Sequence, residues 1–334
     1  MVSRYATVTI AGVTKVIDLL SSAAPNPSTP TMLFGWSGAD IPAVENQVVG
    51  TWMARSSWDD INSGHWIGPG MGNTGYLNYI SAHSDRAADI GVPLIPHDSG
   101  TAYNTLLDQA IAGASVTVGG TTKSTDDIYT TLGAKLAQYG PQTVYARIWW
   151  EMNMSPDPQA TIDRSKFIAA WNRAIPLIRA GFATQAPTKV LKIVFCPISD
   201  GAAYTAFYPD NDKVDVISMD VYGAKWTTNM PTSSELLSWT NGFLTSIGNF
   251  AISKGKPVSL GEWGNWGTGT QGTAGSKGRG DFPEYIDQVF DWAATYNAEY
   301  ICYFNLESGG VGIDLNDQPL STARIQQRVA ALSS

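Results

Sequence analysis

Charge and long hydrophobic runs are both scarce in this sequence. Charged residues make up 15% of its 334 residues, and no uncharged apolar run reaches the ~18 residues that a membrane-spanning helix needs. Its 29 acidic and 21 basic residues give a net charge of −8, which repels phosphate backbones and argues against nucleic acid as a partner. The apolar content of 43% suffices for a large core and excludes an intrinsically disordered chain.

Cysteine and histidine are also rare, and this excludes several chemistries. The two cysteines, Cys196 and Cys302, lie in apolar strand-like runs, which predicts buried thiols instead of a disulfide or a metal site. The sequence contains neither HExxH nor GxSxG, although Gly-Trp-Ser-Gly at 35–38 comes close to the latter. A Ser-His-Asp triad would need His97 beside an exposed serine such as Ser99, and no motif supports that pairing.

Motifs for metals and phosphates are weak as well. The run Asp210-Asn211-Asp212 resembles a calcium loop but lacks its glycine and final glutamate, so we interpret it as a solvated turn. The glycine-rich segment 265–280 does not match a phosphate-binding loop and is predicted to be a long flexible loop. We therefore expect neither a metal nor a cofactor.

Aromatic residues, by contrast, are abundant, with 12 Trp, 14 Tyr and 10 Phe. Spare indole rings in an acidic chain favour stacking on flat, neutral ligands such as sugars. Three tryptophans fall in helical stripes and are predicted to be core residues: Trp171, Trp239 and Trp292. Six others lie at or just beyond predicted strand ends, where a ligand would bind: Trp36, Trp149, Trp150, Trp226, Trp263 and Trp266.

Eight short runs rich in apolar and β-branched residues recur along the chain and predict strands buried on both faces, as parallel sheets require. They lie at 32–36, 48–55, 92–97, 143–150, 190–197, 214–221, 257–262 and 299–305. Segments with helical periodicity separate most of them, at 79–90, 127–139, 165–180, 234–254 and 282–296, and a last one follows at 321–332. This alternation predicts an α/β fold, specifically a (β/α)8 TIM barrel over residues 31–334. An open Rossmann-type sheet is the alternative, but its glycine-rich turn after the first strand is absent.

Residues 1–30 fall outside the barrel pattern. The segment ATVTIAGVTKVI alternates like a short hairpin, and AAPNPSTP is typical of a linker. We expect an N-terminal extension that caps the barrel. The N-terminus lacks the apolar core of a signal peptide, so either the chain is not exported by that route or its leader is not present in this sequence.

Two glutamates are the best candidates for catalysis. Glu151 ends the fourth predicted strand and Glu262 ends the seventh, both in aromatic surroundings where a carboxylate loses hydration and must be compensated. Active sites of such barrels form at the C-terminal ends of the strands. The alternative for each glutamate is a structural ion pair, for which Arg147 is available.

Strand alternation predicts the neighbours of these glutamates. Period two places Arg147 on the same side as Glu151, where an inward-facing arginine can orient a carboxylate. It places Trp149 on that side too and directs Trp150 away, unless the strand end bends. The sixth strand contributes Asp220 and Tyr222, whose phenol can hydrogen-bond Glu262 or, alternatively, pack at the barrel rim.

These residues resemble the motifs of glycoside hydrolase family 26, a family of clan A. The run Arg147–Asn153 (RIWWEMN) is similar to that family's R-x-x-H-E-x-N, Val214–Tyr222 (VDVISMDVY) to its V-D-x-x-x-x-D-x-Y, and Ser259–Gly264 (SLGEWG) to its E-F-G. The resemblance implies a (β/α)8 barrel in which Glu151 is the general acid/base and Glu262 the nucleophile. It also implies that Tyr222 supports the nucleophile.

The sequence departs from this family pattern at two places. Trp150 stands where the family has histidine and the wider clan asparagine, and Tyr303-Phe304-Asn305 stands where the clan has its eighth-strand tryptophan. We therefore expect an unusual sugar-binding pocket. Its predicted lining comprises Arg147, Trp150, Asn153, Asp220, Trp36, Trp226, Trp263, Trp266, His97 and Asn305.

The resulting hypothesis is a secreted, monomeric, endo-acting retaining β-glycanase with a polysaccharide or oligosaccharide as its partner. Mannan, glucan, xylan and an exopolysaccharide all remain open as substrates. Two alternatives remain: a non-catalytic carbohydrate-binding barrel, favoured by Trp150, and an inverting glycosidase that uses the same two glutamates.

Overall fold

The structure is a computed structural model that describes residues 5–10, 13–18, 32–69, 74–97, 99–154, 162–306 and 313–332. The chain divides into two compact units, residues 1–31 and residues 32–334. In the first unit, strand β1 (Tyr5–Ile10) pairs antiparallel with β2 (Val13–Asp18), as the alternating sequence predicts. That this unit caps the barrel stays a prediction.

The second unit alternates strands and helices along its length. In chain order its elements are β3 (Leu33–Gly38), β4 (Val48–Trp52), α1 (Trp58–Ser63), α2 (Thr74–Ala82), β5 (Ala87–Val92), α3 (Tyr103–Ala112), β6 (Ser115–Val118), β7 (Thr121–Ser124), α4 (Thr125–Tyr139), β8 (Thr143–Ile148), α5 (Arg164–Gln185), β9 (Val190–Phe195), β10 (Val216–Ile217), β11 (Asp220–Gly223), β12 (Lys225–Thr227), α6 (Ser233–Lys254), β13 (Leu260–Asn265), β14 (Gly275–Lys277), α7 (Pro283–Tyr296), β15 (Tyr300–Asn305) and α8 (Pro319–Leu332).

The main sheet is parallel throughout and closes on itself. Its strand order is β10-β9-β8-β5-β4-β3-β15-β13-β11, in which β10 and β11 are consecutive pieces of one strand interrupted at Ser218 and Met219. Parallel bridges from Ile198 to Asp220 and from Ile217 to Val258 join this broken strand to both of its neighbours. The sheet is therefore an eight-strand ring, and the predicted (β/α)8 barrel is confirmed.

The third barrel strand lies earlier in the chain than predicted. The structure places β5 at Ala87–Val92 and ends α2 at Ala82, whereas the sequence pattern predicted a helix over 79–90 and a strand over 92–97. The sequence pattern missed this strand because the charged residue Asp89 interrupts the apolar run. In the structure the Asp89 side chain is fully buried. The prediction also omitted α3. As a result, His97 lies in the loop after the third strand, not at the strand's end.

The glycine-rich segment 265–280 is mostly loop, as predicted, but it contains one short strand. Its residues Gly275–Lys277 form β14, which pairs antiparallel with β12, and the Arg279 guanidinium donates to the Pro231 carbonyl at 2.8 Å. The sequence did not predict this pairing, because the partner strand lies about fifty residues earlier in the chain. That the rest of the segment is flexible stays a prediction.

The core has two parts. A small cluster fills the barrel interior and includes Tyr145, Cys196 and Cys302, while a larger one lies between the strands and the surrounding helices. Both cysteines are buried free thiols, as predicted. Within the described residues, no helix combines the length and apolarity needed to cross a bilayer.

Candidate active site

Glu262, on β13, lies at the centre of a hydrogen-bond network inside the barrel mouth. Its Oε1 accepts from Arg147 Nη1 at 2.7 Å and from the Trp52 indole Nε1 at 2.8 Å. Its Oε2 accepts from the Tyr222 hydroxyl at 2.8 Å, so the hydrogen bond predicted between these two residues is present. The carboxylate is 6% exposed. Three donors therefore compensate a carboxylate that water barely reaches.

Arg147 connects Glu262 to two further acids beneath it. The fully buried guanidinium donates through Nε to Asp89 at 2.9 Å and through Nη1 to Asp220 at 3.3 Å. Burial acts to lower the pKa of Arg147, but the three surrounding carboxylates outweigh it and raise that pKa well above the usual value. Gly261 makes room for the side chain, because a Cβ there would lie 2.5 Å from Arg147 Cδ.

Removal of this guanidinium tests its structural role. In Arg147→Met, three buried acids lose the cation that they share, so we expect the free energy of unfolding to fall by about 3–5 kcal/mol at neutral pH. The loss should shrink at lower pH, because protonation removes the uncompensated charges. Urea unfolding at pH 5 and pH 8 measures both effects. The matched control is Arg179→Met, which breaks a half-exposed pair with Asp215 at 3.0 Å and should cost no more than about 1 kcal/mol. Equal losses in the two variants would contradict the prediction.

Glu151 occupies a strained backbone turn directly after β8. Trp149 has φ +43° and Glu151 has φ +56°, values in the left-handed region that non-glycine residues rarely adopt. Neighbouring strands hold this turn: the Trp149 amide donates to the Val92 carbonyl at 2.7 Å, and the Glu151 amide donates to the Cys196 carbonyl at 2.8 Å. Strain of this kind is maintained where the surroundings fix a functional side chain.

The turn also reverses the predicted directions of the two tryptophans. Trp149 is fully buried in the outer core, with its ring 5.5 Å from that of Phe167 on α5. Trp150 instead packs with the barrel-interior cluster, where Trp52 also lies. Gly91 accommodates both indoles, because a Cβ there would lie 2.4 Å from Trp52 and 3.0 Å from Trp150. Strict alternation was the wrong assumption, since β8 ends at Ile148.

Glu151 and Glu262 approach each other closely at this mouth. Carboxylate oxygens of Glu151, Asp220 and Glu262 all lie within 4.8 Å of one another. Desolvation and the negative charge of Glu262 raise the pKa of Glu151 to about 8, while Arg147 and Arg55 counteract them. This raised pKa keeps the proton on Glu151 at neutral pH, so Glu151 can donate it, while three hydrogen-bond donors surround Glu262.

The other acids and the phenol of the cluster hold their protons tightly. Burial, followed by the charge of Glu262, raises the pKa of Asp220 well above its usual range, and burial raises that of Asp89 to about 7. Burial and the same charge raise the pKa of Tyr222 well above its usual range, so its hydroxyl remains a donor. The spacing of Glu151, Asp220 and Glu262 matches a possible metal-ligand set, but Arg147 already supplies a cation to two of the three.

Trp150 packs against Arg55 and His97 directly after β8. It is 9% exposed, the guanidinium carbon of Arg55 lies 5.2 Å from its ring centroid, and the His97 ring stacks on it at 6.2 Å. Burial, helped by the charge of Arg55, lowers the pKa of His97 to about 3, so this imidazole is neutral. Neither of its ring nitrogens has a hydrogen-bond partner among the described residues. His97 therefore supports Trp150 from a buried position.

Four residues predicted to bind sugar belong to the structural framework instead. Trp263 is fully buried against Tyr303, because alternation on β13 turns it away from Glu262. Trp36 is 3% exposed and packs in the outer core for the same reason on β3, so only a small part of it reaches the cavity described below. Asn153 and Asn305 hold loops in place through their side-chain amides. The Asn153 amide makes hydrogen bonds with the backbone of Ile198 and Ala202, and the Asn305 amide with the backbone of Ala39 and Leu315.

Two other predicted tryptophans remain accessible. Trp266 is half-buried, and its ring lies 5.3 Å from the Tyr222 ring, so it borders the carboxylate cluster. Trp226 is 68% exposed on β12, in the ribbon beyond the barrel strand. A cavity of about 590 Å³ reaches the site at Trp52, and its lining also includes Trp36, Asn46, Asn78, Tyr79 and His83.

Sequence reasoning missed three residues of this site: Trp52, Asp89 and Arg55. Trp52 lies within the second predicted strand, 48–55, and is a strand end only because the structure ends β4 there, so the sequence carried no clear signal for it. Asp89 fell inside a segment taken for a helix. Arg55 follows β4 by three residues and approaches Trp150 only through the tertiary fold.

Comparison with solved structures shows the fold of this chain. It is similar to GH26C from a Muricauda species, with 14% identity and a TM-score of 0.59 over 90% of this chain and 86% of that one. It is also similar to a GH26 β-mannanase from Bacteroides ovatus, with 14% identity and a TM-score of 0.59 over 90% and 89%. An endo-β-1,4-mannanase double mutant from Cellulomonas fimi gives 15% identity and 0.58 over 90% and 70%.

No family model and no curated protein matches the sequence. The structural similarity therefore shows the fold alone. For the fold, the resemblance to glycoside hydrolase family 26 is confirmed.

Proposed function

We propose that this protein is a retaining endo-β-glycanase, with Glu262 as nucleophile and Glu151 as general acid/base. The observation that carries the proposal is the pairing of two unlike carboxyl groups at the barrel mouth. Glu262 accepts from three donors, whereas the pKa of Glu151, less than 5 Å away, is raised to about 8. A carboxyl group that keeps its proton suits the acid role, and a carboxylate held by three donors suits the nucleophile role.

The reaction proceeds in two displacements. In the first, Glu262 attacks the anomeric carbon while Glu151 protonates the departing glycosidic oxygen. The ester that forms removes the negative charge of Glu262, which lowers the pKa of Glu151 and converts it into a base. In the second, Glu151 takes a proton from water as the water attacks the anomeric carbon and releases Glu262.

The short distance between the glutamates supports retention over inversion. Retaining enzymes hold their carboxyl groups about 5–5.5 Å apart, and inverting enzymes need about 6.5–9.5 Å to admit a water. The oxygens of Glu151 and Glu262 lie within 4.8 Å of each other, which is close to the retaining separation and short of the inverting one.

The substrate we propose is a neutral β-linked polysaccharide outside the cell. The structural neighbours favour mannan, because they include mannanases. Because the sequence departs from the family pattern at Trp150 and Asn305, glucan, xylan and exopolysaccharides are also candidate substrates. Half-buried Trp266, which borders the carboxylate cluster, and exposed Trp226 offer indole surfaces on which sugar rings can stack.

A panel of these polysaccharides, assayed for new reducing ends, tests the proposed function. Release of oligosaccharides from one polymer, with the β-anomer formed first in an NMR time course, is the expected result. Binding without product would favour the non-catalytic carbohydrate-binding barrel. Initial formation of the α-anomer would favour an inverting enzyme.

The pH profile of this activity tests the environment of Glu151. Because the acid must be protonated, kcat/KM should fall as pH rises through about 8. Trp150→Asn places a polar group beside the acid and should move this alkaline limb to lower pH, since desolvation is the largest cause of the raised pKa. Profiles from pH 5 to 10 on the cleaved polymer measure the shift.

The matched control for that substitution is Trp150→Phe, which keeps an apolar ring at the same position. Its alkaline limb should stay within a few tenths of a pH unit of the wild-type limb. An unchanged limb in a folded Trp150→Asn protein would show that the indole does not determine the proton affinity of Glu151.

A further inference from the structure

The hydrogen bonds on Glu262 are distributed unequally between its two oxygens. Oε1 accepts two, from Arg147 at 2.7 Å and from Trp52 at 2.8 Å, whereas Oε2 accepts one, from Tyr222 at 2.8 Å. A carboxylate oxygen offers about two lone-pair sites. Oε1 is thus saturated, and Oε2 keeps one lone pair available.

We propose that Trp52 is a positioning residue that saturates Oε1 and so makes Oε2 the oxygen that attacks the substrate. The proposal rests on the proposed function of Glu262 as nucleophile. In the first step the bond from Oε2 to the anomeric carbon forms as the bond to the leaving oxygen breaks. In the second step that bond breaks, and its electron pair returns to the carboxylate, where Trp52 donates to Oε1.

The surroundings of Trp52 keep its N–H fixed in place. The indole packs across Gly91 beside Trp150, the Phe304 ring meets it edge-on at 5.5 Å, and the Arg147 guanidinium carbon lies 5.9 Å from its ring. The donor therefore needs no reorganisation when charge returns to Oε1. It also cannot titrate, unlike Tyr222 on the other oxygen.

This arrangement predicts that Trp52 affects the two steps differently. A donor to Oε1 stabilises the free carboxylate more than the ester, so it assists departure of Glu262 in the second step and does not accelerate its attack in the first. Removing the N–H should slow release of the glycosyl-enzyme about tenfold or more, as for a hydrogen bond to a charged group. Formation of the intermediate should slow by less than about twofold.

The experiment follows the two steps separately by intact-protein mass spectrometry. The probes are the 2-deoxy-2-fluoro-β-fluorides of mannobiose, cellobiose and xylobiose, which trap the glycosyl-enzyme. Rates of trapping and of reactivation after probe removal are compared for wild type, Trp52→Phe and a protein with β-(3-benzothienyl)alanine at position 52. This analogue keeps the bicyclic shape and removes only the N–H, so a packing defect in Trp52→Phe does not obscure the result. The control is Trp239→Phe, because Trp239 is an exposed tryptophan on α6.

Slow reactivation with near-normal trapping in the benzothienyl protein supports the proposal. Reactivation at the wild-type rate, or equal slowing of both steps, overturns it and leaves Glu262 established as nucleophile. No labelling of the wild-type protein by any probe contradicts the proposed function itself, and the role of Trp52 is rejected with it.

Discussion

Glu262→Ala should reduce hydrolysis by more than about 10⁴-fold, because no covalent intermediate can form without this carboxylate. Azide should restore turnover of an activated aryl β-glycoside by attacking the anomeric carbon from the vacated side. The product should be the α-glycosyl azide, identified by NMR. Residual activity within about tenfold of wild type, a difference of only ~1.4 kcal/mol, would show that Glu262 is not the nucleophile.

A folding control must accompany this substitution, because Glu262 is buried and hydrogen-bonded. Arg147 keeps Asp89 and Asp220 as partners when Glu262 is lost, so the barrel should remain folded. Glu262→Gln preserves the shape of the side chain and should be equally inactive, but azide should rescue it poorly because the amide occupies the space that azide needs. Circular dichroism and the unfolding temperature separate an inactive folded protein from an unfolded one.

Glu151→Ala should lower hydrolysis of unactivated polymer by about 10²–10⁴-fold, the usual contribution of a general acid. An aryl glycoside with a good leaving group does not need that acid, so its first step should remain fast and the glycosyl-enzyme should accumulate. Azide should then attack the intermediate and give the β-glycosyl azide. The alkaline limb near pH 8 should also disappear from the kcat/KM profile, because the group that titrates there is gone.

Asp200→Ala is the control for Glu151→Ala. Asp200 is exposed and acts on Glu151 only through its charge, so its removal should leave turnover of the polymer close to wild type. Formation of an α-azide by Glu151→Ala would show instead that Glu151 is the nucleophile and Glu262 the general acid/base. No azide product, together with unchanged hydrolysis, would remove Glu151 from the reaction.

The barrel and both glutamates could be predicted because their signals are local. Buried parallel strands produce near-continuous apolar runs, and a carboxylate at the end of such a run stands out in the sequence. Glu151 and Glu262 were found in this way, and Tyr222 followed from its place on the neighbouring strand. The third strand was not predicted, because Asp89 interrupts the apolar run of that strand. In the folded protein Arg147 donates a hydrogen bond to Asp89 and compensates its burial.

The sequence by itself determined that Glu151, Tyr222 and Glu262 stand at the mouth of the barrel, because strand period and strand ends are properties of short segments. Only the tertiary structure decided which way Trp149 and Trp150 point, since a left-handed turn at the end of β8 overrides alternation. It also decided that Trp52 donates to Glu262 across 210 residues of sequence. Closure of the barrel brings β4 and β13 to the same mouth, and this proximity has no local signature in the chain.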